Sequence, residues 1–219
     1  RAEDQVTSLY GALGNYLTSN GLSLENIRRV VLTGVGASFV DGNIYGLPTC
    51  KVDEFRASGT GALALSGQES AVVVTMGTGT AFLWAERSGA VKKLASCGDL
   101  NQVDLTIRDI SKTVAPTLDP NMTAANFGNL AEDASPADLA AGAVNLVLQA
   151  IGTMTVLACQ GCGASTVVLT GSMTTLDQVG PNFRFFEELY GIHYIIPENA
   201  TFATAIGAGL CSLQEKAVK

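Results

Sequence analysis

The chain has 219 residues, 47% hydrophobic and only 15% charged, which is apolar material enough for a sizeable core and excludes a disordered or fibrous class. Its 13 Lys and Arg against 20 Asp and Glu leave a net charge of −7, so a broad basic face of the kind nucleic acid requires is excluded. The 24 glycines exceed an average usage of about 7% without any collagen-like period, and such an excess belongs in tight turns and close backbone approaches.

The chain opens Arg1-Ala2-Glu3-Asp4-Gln5, with no initiator Met and no basic-then-apolar leader, so secretion is not expected. Val6 to Leu17 carries Val6, Leu9, Tyr10, Leu13 and Leu17 on one stripe and reads as a helix ended by Asn20-Gly21. A short buried strand, Val30 to Thr33, enters a Gly34-Val35-Gly36 turn, and Thr49 to Val52 reads as a second strand. Glu54 to Leu65 is a helix stopping at Ser66-Gly67. Ala71 to Met76 is a continuous buried strand, followed by Gly77-Thr78-Gly79-Thr80 and a returning strand over Ala81 to Ala85.

Val103 to Val114 and Thr123 to Leu130 are helical candidates on either side of a loop holding Pro116 and Pro120. Pro136 to Ala158 is the longest predicted helix, with Ser135 as its N-cap and Pro136 in its first turn. Val167 to Thr170 is a further buried strand, meeting Gly171-Ser172 at once. Phe183 to Tyr190 reads as a helix, Tyr194 to Ile196 as a last strand and Ala203 to Ala217 as a closing helix. The longest uncharged runs, Ala71 to Ala85 and Leu139 to Ser172, are interrupted by glycine or polar residues, and no transmembrane helix is expected. Buried strands alternating with helices predict an α/β fold with largely parallel sheets.

Three junctions point to a common cleft, since ligands of open α/β sheets bind at the carboxyl ends of the strands. Gly77-Thr78-Gly79-Thr80 joins glycines to hydroxyls, a composition suited both to a phosphate cradle and to a plain hairpin. Thr33-Gly34-Val35-Gly36 and Thr170-Gly171-Ser172 repeat one design, a buried strand giving way to small residues. Asp53-Glu54 sits where a general base belongs and equally where first-turn acids favour a helix dipole. Five scattered cysteines suggest a reducing cytosol. Cys159-x-x-Cys162 reads as thiols at a helix end rather than a zinc or redox site, and the single histidine, His193, reads as structural.

Read together, several segments resemble the type II pantothenate kinases of the actin, Hsp70 and sugar-kinase superfamily. The matching stretches, in the family's order, are Leu32 to Gly36, Lys51 to Ala57, Val74 to Thr80, Gly98 to Thr106, Thr123 to Gly128, Leu169 to Ser172 and Pro197 to Ala208. The resemblance implies two ribonuclease-H-like, actin-like ATPase domains. The first is incomplete here over 1–69, the second covers 70–205, and a C-terminal helix over 206–219 returns to the first.

It further implies transfer of the ATP γ-phosphoryl group to the primary hydroxyl of pantothenate, the first step toward coenzyme A, with Mg²⁺, by a cytoplasmic homodimer that binds neither membrane nor nucleic acid. By position Glu54 matches the catalytic base. Gly77, Thr78, Gly79 and Thr80 match the second phosphate motif, Gly171 and Ser172 the adenosine-side motif, and Lys93 the place of a substrate-binding Arg; no protein metal ligand is implied. The family's opening D-x-G-G-T loop and the glycine-rich loop after its returning strand have no match in this sequence. An inactive, binding relative and a sugar kinase of the same superfamily are the alternatives. The second of these is disfavoured because its catalytic Asp usually stands in the second domain.

Overall fold

The computed structural model describes residues 4–77, 79–97, 105–106, 123–125 and 134–217. Helix α1 (Gln5–Ser19) is capped by Asp4, whose Oδ1 accepts the Val6 and Thr7 amides at 3.0 and 3.2 Å. Strands β1 (Val30–Leu32) and β2 (Thr49–Lys51) pair in parallel, with Val31 opposite Cys50. Helix α2 (Glu54–Ser66) follows and ends on a left-handed Gly67.

Five strands form the main sheet in the order β5-β4-β3-β8-β9. They are β3 (Ser70–Met76), β4 (Thr80–Glu86), β5 (Val91–Cys97), β8 (Thr166–Thr170) and β9 (His193–Ile195). The first three make an antiparallel meander, while β8 and β9 run parallel to β3. The central strand β3 is covered on both faces, which is why its sequence is a continuous apolar run rather than an alternating one. Val72, Val74 and Met76 point to one side with Phe82, Val167 and Leu169, and there meet α3 (Pro136–Cys162) and α4 (Val179–Tyr190) through Leu148, Ile151, Phe183 and Phe186. Val73 points to the other side with Leu83, Ala85 and Val168 and meets Ala62 and Leu63 of α2. Each fully buried valine here contributes about 2 kcal/mol of transfer free energy.

Helix α5 (Ala203–Ala217) lies on α2 at backbone contact distance. A Cβ on Gly61 would stand 1.8 Å from the Ala203 carbonyl oxygen, and one on Gly207 would stand 1.8 Å from that of Ala57. The Ser58 and Thr204 hydroxyls bond at 2.9 Å across the same interface. Beyond it Ala208 and Cys211 pack with Val31, Val52 and Ala57, so α5 rests on α2 and on the small sheet together.

Several expectations are corrected. Leu105–Thr106 (β6) and Thr123–Ala125 (β7) pair as antiparallel strands, where helices were expected over 103–114 and 123–130. The β-branched threonines at 106 and 123 favour that pairing over a helix; the remainder of both segments lies outside the described residues. Val91 to Cys97, to which no element was assigned from sequence, forms the outer strand β5 beside β4. Helix α3 is long and apolar enough to cross a membrane by length and composition, contrary to the expectation that no segment fits. In this fold Leu148, Ile151, Val156 and Cys159 of that helix bury against the sheet.

Candidate active site

The carboxyl ends of β3 and β8 are joined backbone to backbone. Thr75 and Thr170, neighbours in the parallel register, share a hydroxyl–hydroxyl bond of 3.0 Å. One residue on, Gly171 adopts φ 96° and ψ 173°, a region essentially restricted to glycine, and a Cβ there would lie 2.2 Å from the Met76 carbonyl oxygen. The Gly171 amide donates to the Ala200 carbonyl at 3.1 Å, so the start of α5 is anchored at the same place. Ser172, exposed, opens a 3₁₀ turn over Ser172–Thr175.

The turn between β3 and β4 is held by the Gly77 amide donating to the Gly79 carbonyl at 2.9 Å. Among the described residues, chain neighbours aside, no atom comes within 4 Å of a Cβ built on Gly79, and only the Gly79 oxygen approaches one on Gly77, at 3.8 Å. Thr80 is buried as the first residue of β4, opposite Met76. Thr78 lies outside the described residues. Gly77, Gly79, Thr80, Gly171 and Ser172 therefore collect at one end of the large sheet, while the third junction, at Gly34, ends a strand of the small sheet.

Glu54 is the first residue of α2, and the carboxylate that caps the helix is its neighbour. Asp53 Oδ1 accepts the Arg56 amide at 2.9 Å, the standard N-cap bond. This separates two acids that look equivalent in sequence. Glu54, exposed, instead reaches over the junction at the end of β1, its Oε2 3.9 Å from the position of a Cβ on Gly34. Gly34 has the same unusual backbone as Gly171, φ 86° and ψ 169°. Phe55, next along α2, meets Lys93 opposite Leu83, while Gly59, one turn later, meets Ala85 and Val91, so the amino end of α2 points toward the Thr80 end of the sheet. Lys93 of β5 comes to the same helix, its Nζ 4.9 Å from the centroid of the Phe55 ring.

Two groups set aside by sequence stay outside this site. Cys159 and Cys162 are free thiols at the end of α3; burial first, and then the neighbouring Cys162, push the Cys159 thiol up to about 11, which leaves it protonated at neutral pH. His193 sits on the sheet edge with Nδ1 3.1 Å from Glu187 Oε1. Sequence reading missed the Thr75–Thr170 pair, although the repeated Leu-Thr-Gly at 32–34 and 169–171 carried its signal. It also missed Phe55, whose role depends on a strand distant in the chain.

A five-stranded mixed sheet in this order, with a second parallel pair and two helices crossing between them, defines the actin-like ATPase fold. Solved structures agree. The activator of 2-hydroxyisocaproyl-CoA dehydratase from Clostridium difficile, with bound ADPNP, superposes with a TM-score of 0.60 at 16% identity, covering 93% of this chain and 80% of its own. Component A of (R)-2-hydroxyglutaryl-CoA dehydratase from Acidaminococcus fermentans does so with a TM-score of 0.56 at 15% identity, covering 92% of this chain and 82% of its own.

Among curated relatives, the similarity is to proteins named type II pantothenate kinase, which bears out the resemblance read from sequence. The one from Staphylococcus epidermidis is 28% identical over 230 residues, spanning 85% of this chain and 84% of its own. That from Oceanobacillus iheyensis is 28% identical over 203 residues, or 78% of each, and that from Staphylococcus aureus 26% over 228, or 85% and 84%. No protein-family profile matches the chain.

Proposed function

We propose that this protein is a pantothenate kinase, transferring the γ-phosphoryl group of ATP to the primary hydroxyl of pantothenate to give 4′-phosphopantothenate and ADP. The observation that carries the reading is the freedom of Glu54: with Asp53 committed to the helix cap, its carboxylate stands 3.9 Å from the position of a Cβ on Gly34, at the start of the helix whose Phe55 meets Lys93 of the large sheet. The names of the relatives supply the acceptor.

In this reading Glu54 accepts the proton of the acceptor hydroxyl as its oxygen attacks the γ-phosphorus, and the bond to the β,γ-bridging oxygen breaks with ADP as leaving group. A carboxylate is a sufficient base here, because phosphoryl transfer depends more on placement and charge neutralisation than on covalent chemistry. The Gly77-to-Thr80 turn, Thr78 included, receives the polyphosphate, since Gly77 and Gly79 present backbone amides without a Cβ of their own. Gly171 and Ser172 meet the adenosine side, and Lys93 the carboxylate of pantothenate. Mg²⁺ when bound neutralises phosphate charge. In this reading the ion is carried by phosphate oxygens and water.

The reading includes a division into 1–69, 70–205 and 206–219, homodimeric assembly and a cytoplasmic location. Its test is ADP release in the presence of Mg²⁺ and ATP, with and without pantothenate. Release that depends on pantothenate is expected; release that ignores it, or none, contradicts the reading.

A further inference from the structure

Lys93 is placed with unusual definition for a lysine on an edge strand. Pairing sets its side of the sheet: it lies opposite Leu83, which is buried on the α2 face. Two residues earlier on the same face, Val91 packs at Gly59 so closely that a Cβ there would come 2.7 Å from Val91 Cγ2. One helical turn nearer the start of α2, the Lys93 ammonium stands over the Phe55 ring. The register then shifts, with Ala95 opposite Phe82, so that Leu94 is the extra residue of a bulge immediately after Lys93. Bulges of this kind re-aim side chains beside sites.

Lys93 makes no ion pair with any described residue, so its charge is met by a ring face and not by a carboxylate. That arrangement has a specific consequence. An aromatic face fixes the direction of a flexible four-carbon stem while leaving the net positive charge available to an incoming anion, which a salt bridge would consume. Phe55 directly follows Glu54, so a single helix start carries both the carboxylate proposed to take the hydroxyl proton and the ring that holds the cation. An acceptor offering a hydroxyl at one end and a negative charge at the other meets both.

We infer that Phe55 is a positioning residue for substrate specificity, holding Lys93 where it reads the negative charge of the acceptor. The inference rests on the kinase reading above. It is tested by steady-state kinetics with two acceptors, pantothenate and pantothenol, the second having a neutral hydroxymethyl group in place of the carboxylate. Phe55→Leu is expected to raise the KM for pantothenate about three- to tenfold, leaving kcat and the pantothenol KM within about twofold. Phe55→Tyr, which keeps the ring, is expected to restore the pantothenate KM. In a Lys93→Gln background Phe55→Leu is expected to add nothing, because the group it positions is gone. Equal changes for both acceptors, a loss confined to kcat, or an undiminished effect in the Lys93→Gln background overturns the inference while leaving the kinase reading intact. Turnover of neither acceptor by the unmodified protein overturns the kinase reading, and this inference with it.

Discussion

The small and large sheets end a buried strand in the same three residues, Leu32-Thr33-Gly34 and Leu169-Thr170-Gly171, with nearly the same glycine backbone and the same entry into a 3₁₀ turn. Their surroundings differ. Strand β8 lies between β3 and β9, so the Thr170 hydroxyl finds Thr75 and Gly171 presses on Met76. Among the described residues β1 pairs only with β2; the Thr33 hydroxyl, buried, has no partner, and the nearest atom to a Cβ on Gly34 is the Glu54 carboxylate. One local solution thus serves two ends. In the large sheet the junction is a packed fastening, and in the small one it leaves room for a reactive group.

The largest expected contrast is between the two glycines. Both substitutions by Ala strain the backbone, at about 2 kcal/mol, but only Gly171→Ala also drives a methyl group into the Met76 carbonyl, for a total of about 4 kcal/mol. Urea unfolding of both variants measures this, and equal losses would break the distinction between fastening and open junction. The threonines sharpen it at a smaller scale. Thr170→Val strands the Thr75 hydroxyl and is expected to cost about 1–2 kcal/mol, whereas Thr33→Val is expected to fall within about 0.5 kcal/mol of the parent or to stabilise it.

The smallest effect concerns the outer strands. Strand β2 is held by non-titrating groups: Asn43 Oδ1 accepts the Thr49 amide at 3.2 Å, and the Thr49 hydroxyl oxygen accepts the Ile44 amide at 2.9 Å. Its counterpart β9 is held by Glu187, which accepts the Tyr194 amide at 3.3 Å and bonds His193. The hydrogen bond with His193, and then the Tyr194 amide, hold the Glu187 carboxyl below its ordinary value of 4.5. Its stabilising contribution is therefore present above that value and is lost as pH falls through the lower, folded-state value. Amide exchange followed from about pH 5 to about pH 3 is expected to show β9 loosening before β2. Glu187→Gln is expected to remove the acid-dependent part, and an unchanged pH profile in that variant would contradict the assignment.

How much of this was legible in the sequence depends on how local its cause is. Long apolar runs and one cap placed α1, α2, α3, β3 and β8, because the stripe from Val6 to Leu17, Ser135 and the stretch Val72-Val73-Val74 state their preferences within a few residues. Ser135 is the expected N-cap, and with Asp138 it forms a capping box. Strand β5 was not legible: Val91-Lys92-Lys93-Leu94 carries two charges, and it becomes a strand through pairing with β4. At the site, the strand-end glycines could be read, whereas the roles of Asp53 and Glu54 could not, since first-turn acids look alike until one is seen to take the Arg56 amide. The meeting of Phe55 with Lys93 is a product of sheet register alone.

The account stands or falls on Glu54 as the base, and the rate of pantothenate phosphorylation by Glu54→Gln tests it most directly. Turnover is expected to fall by about 10²-fold or more, with ATP affinity and the unfolding midpoint unchanged, because the amide keeps the shape of the side chain and loses only its basicity. A variant that retains nearly the full rate would remove Glu54 from the chemistry and leave the open junction at Gly34 without a catalytic purpose.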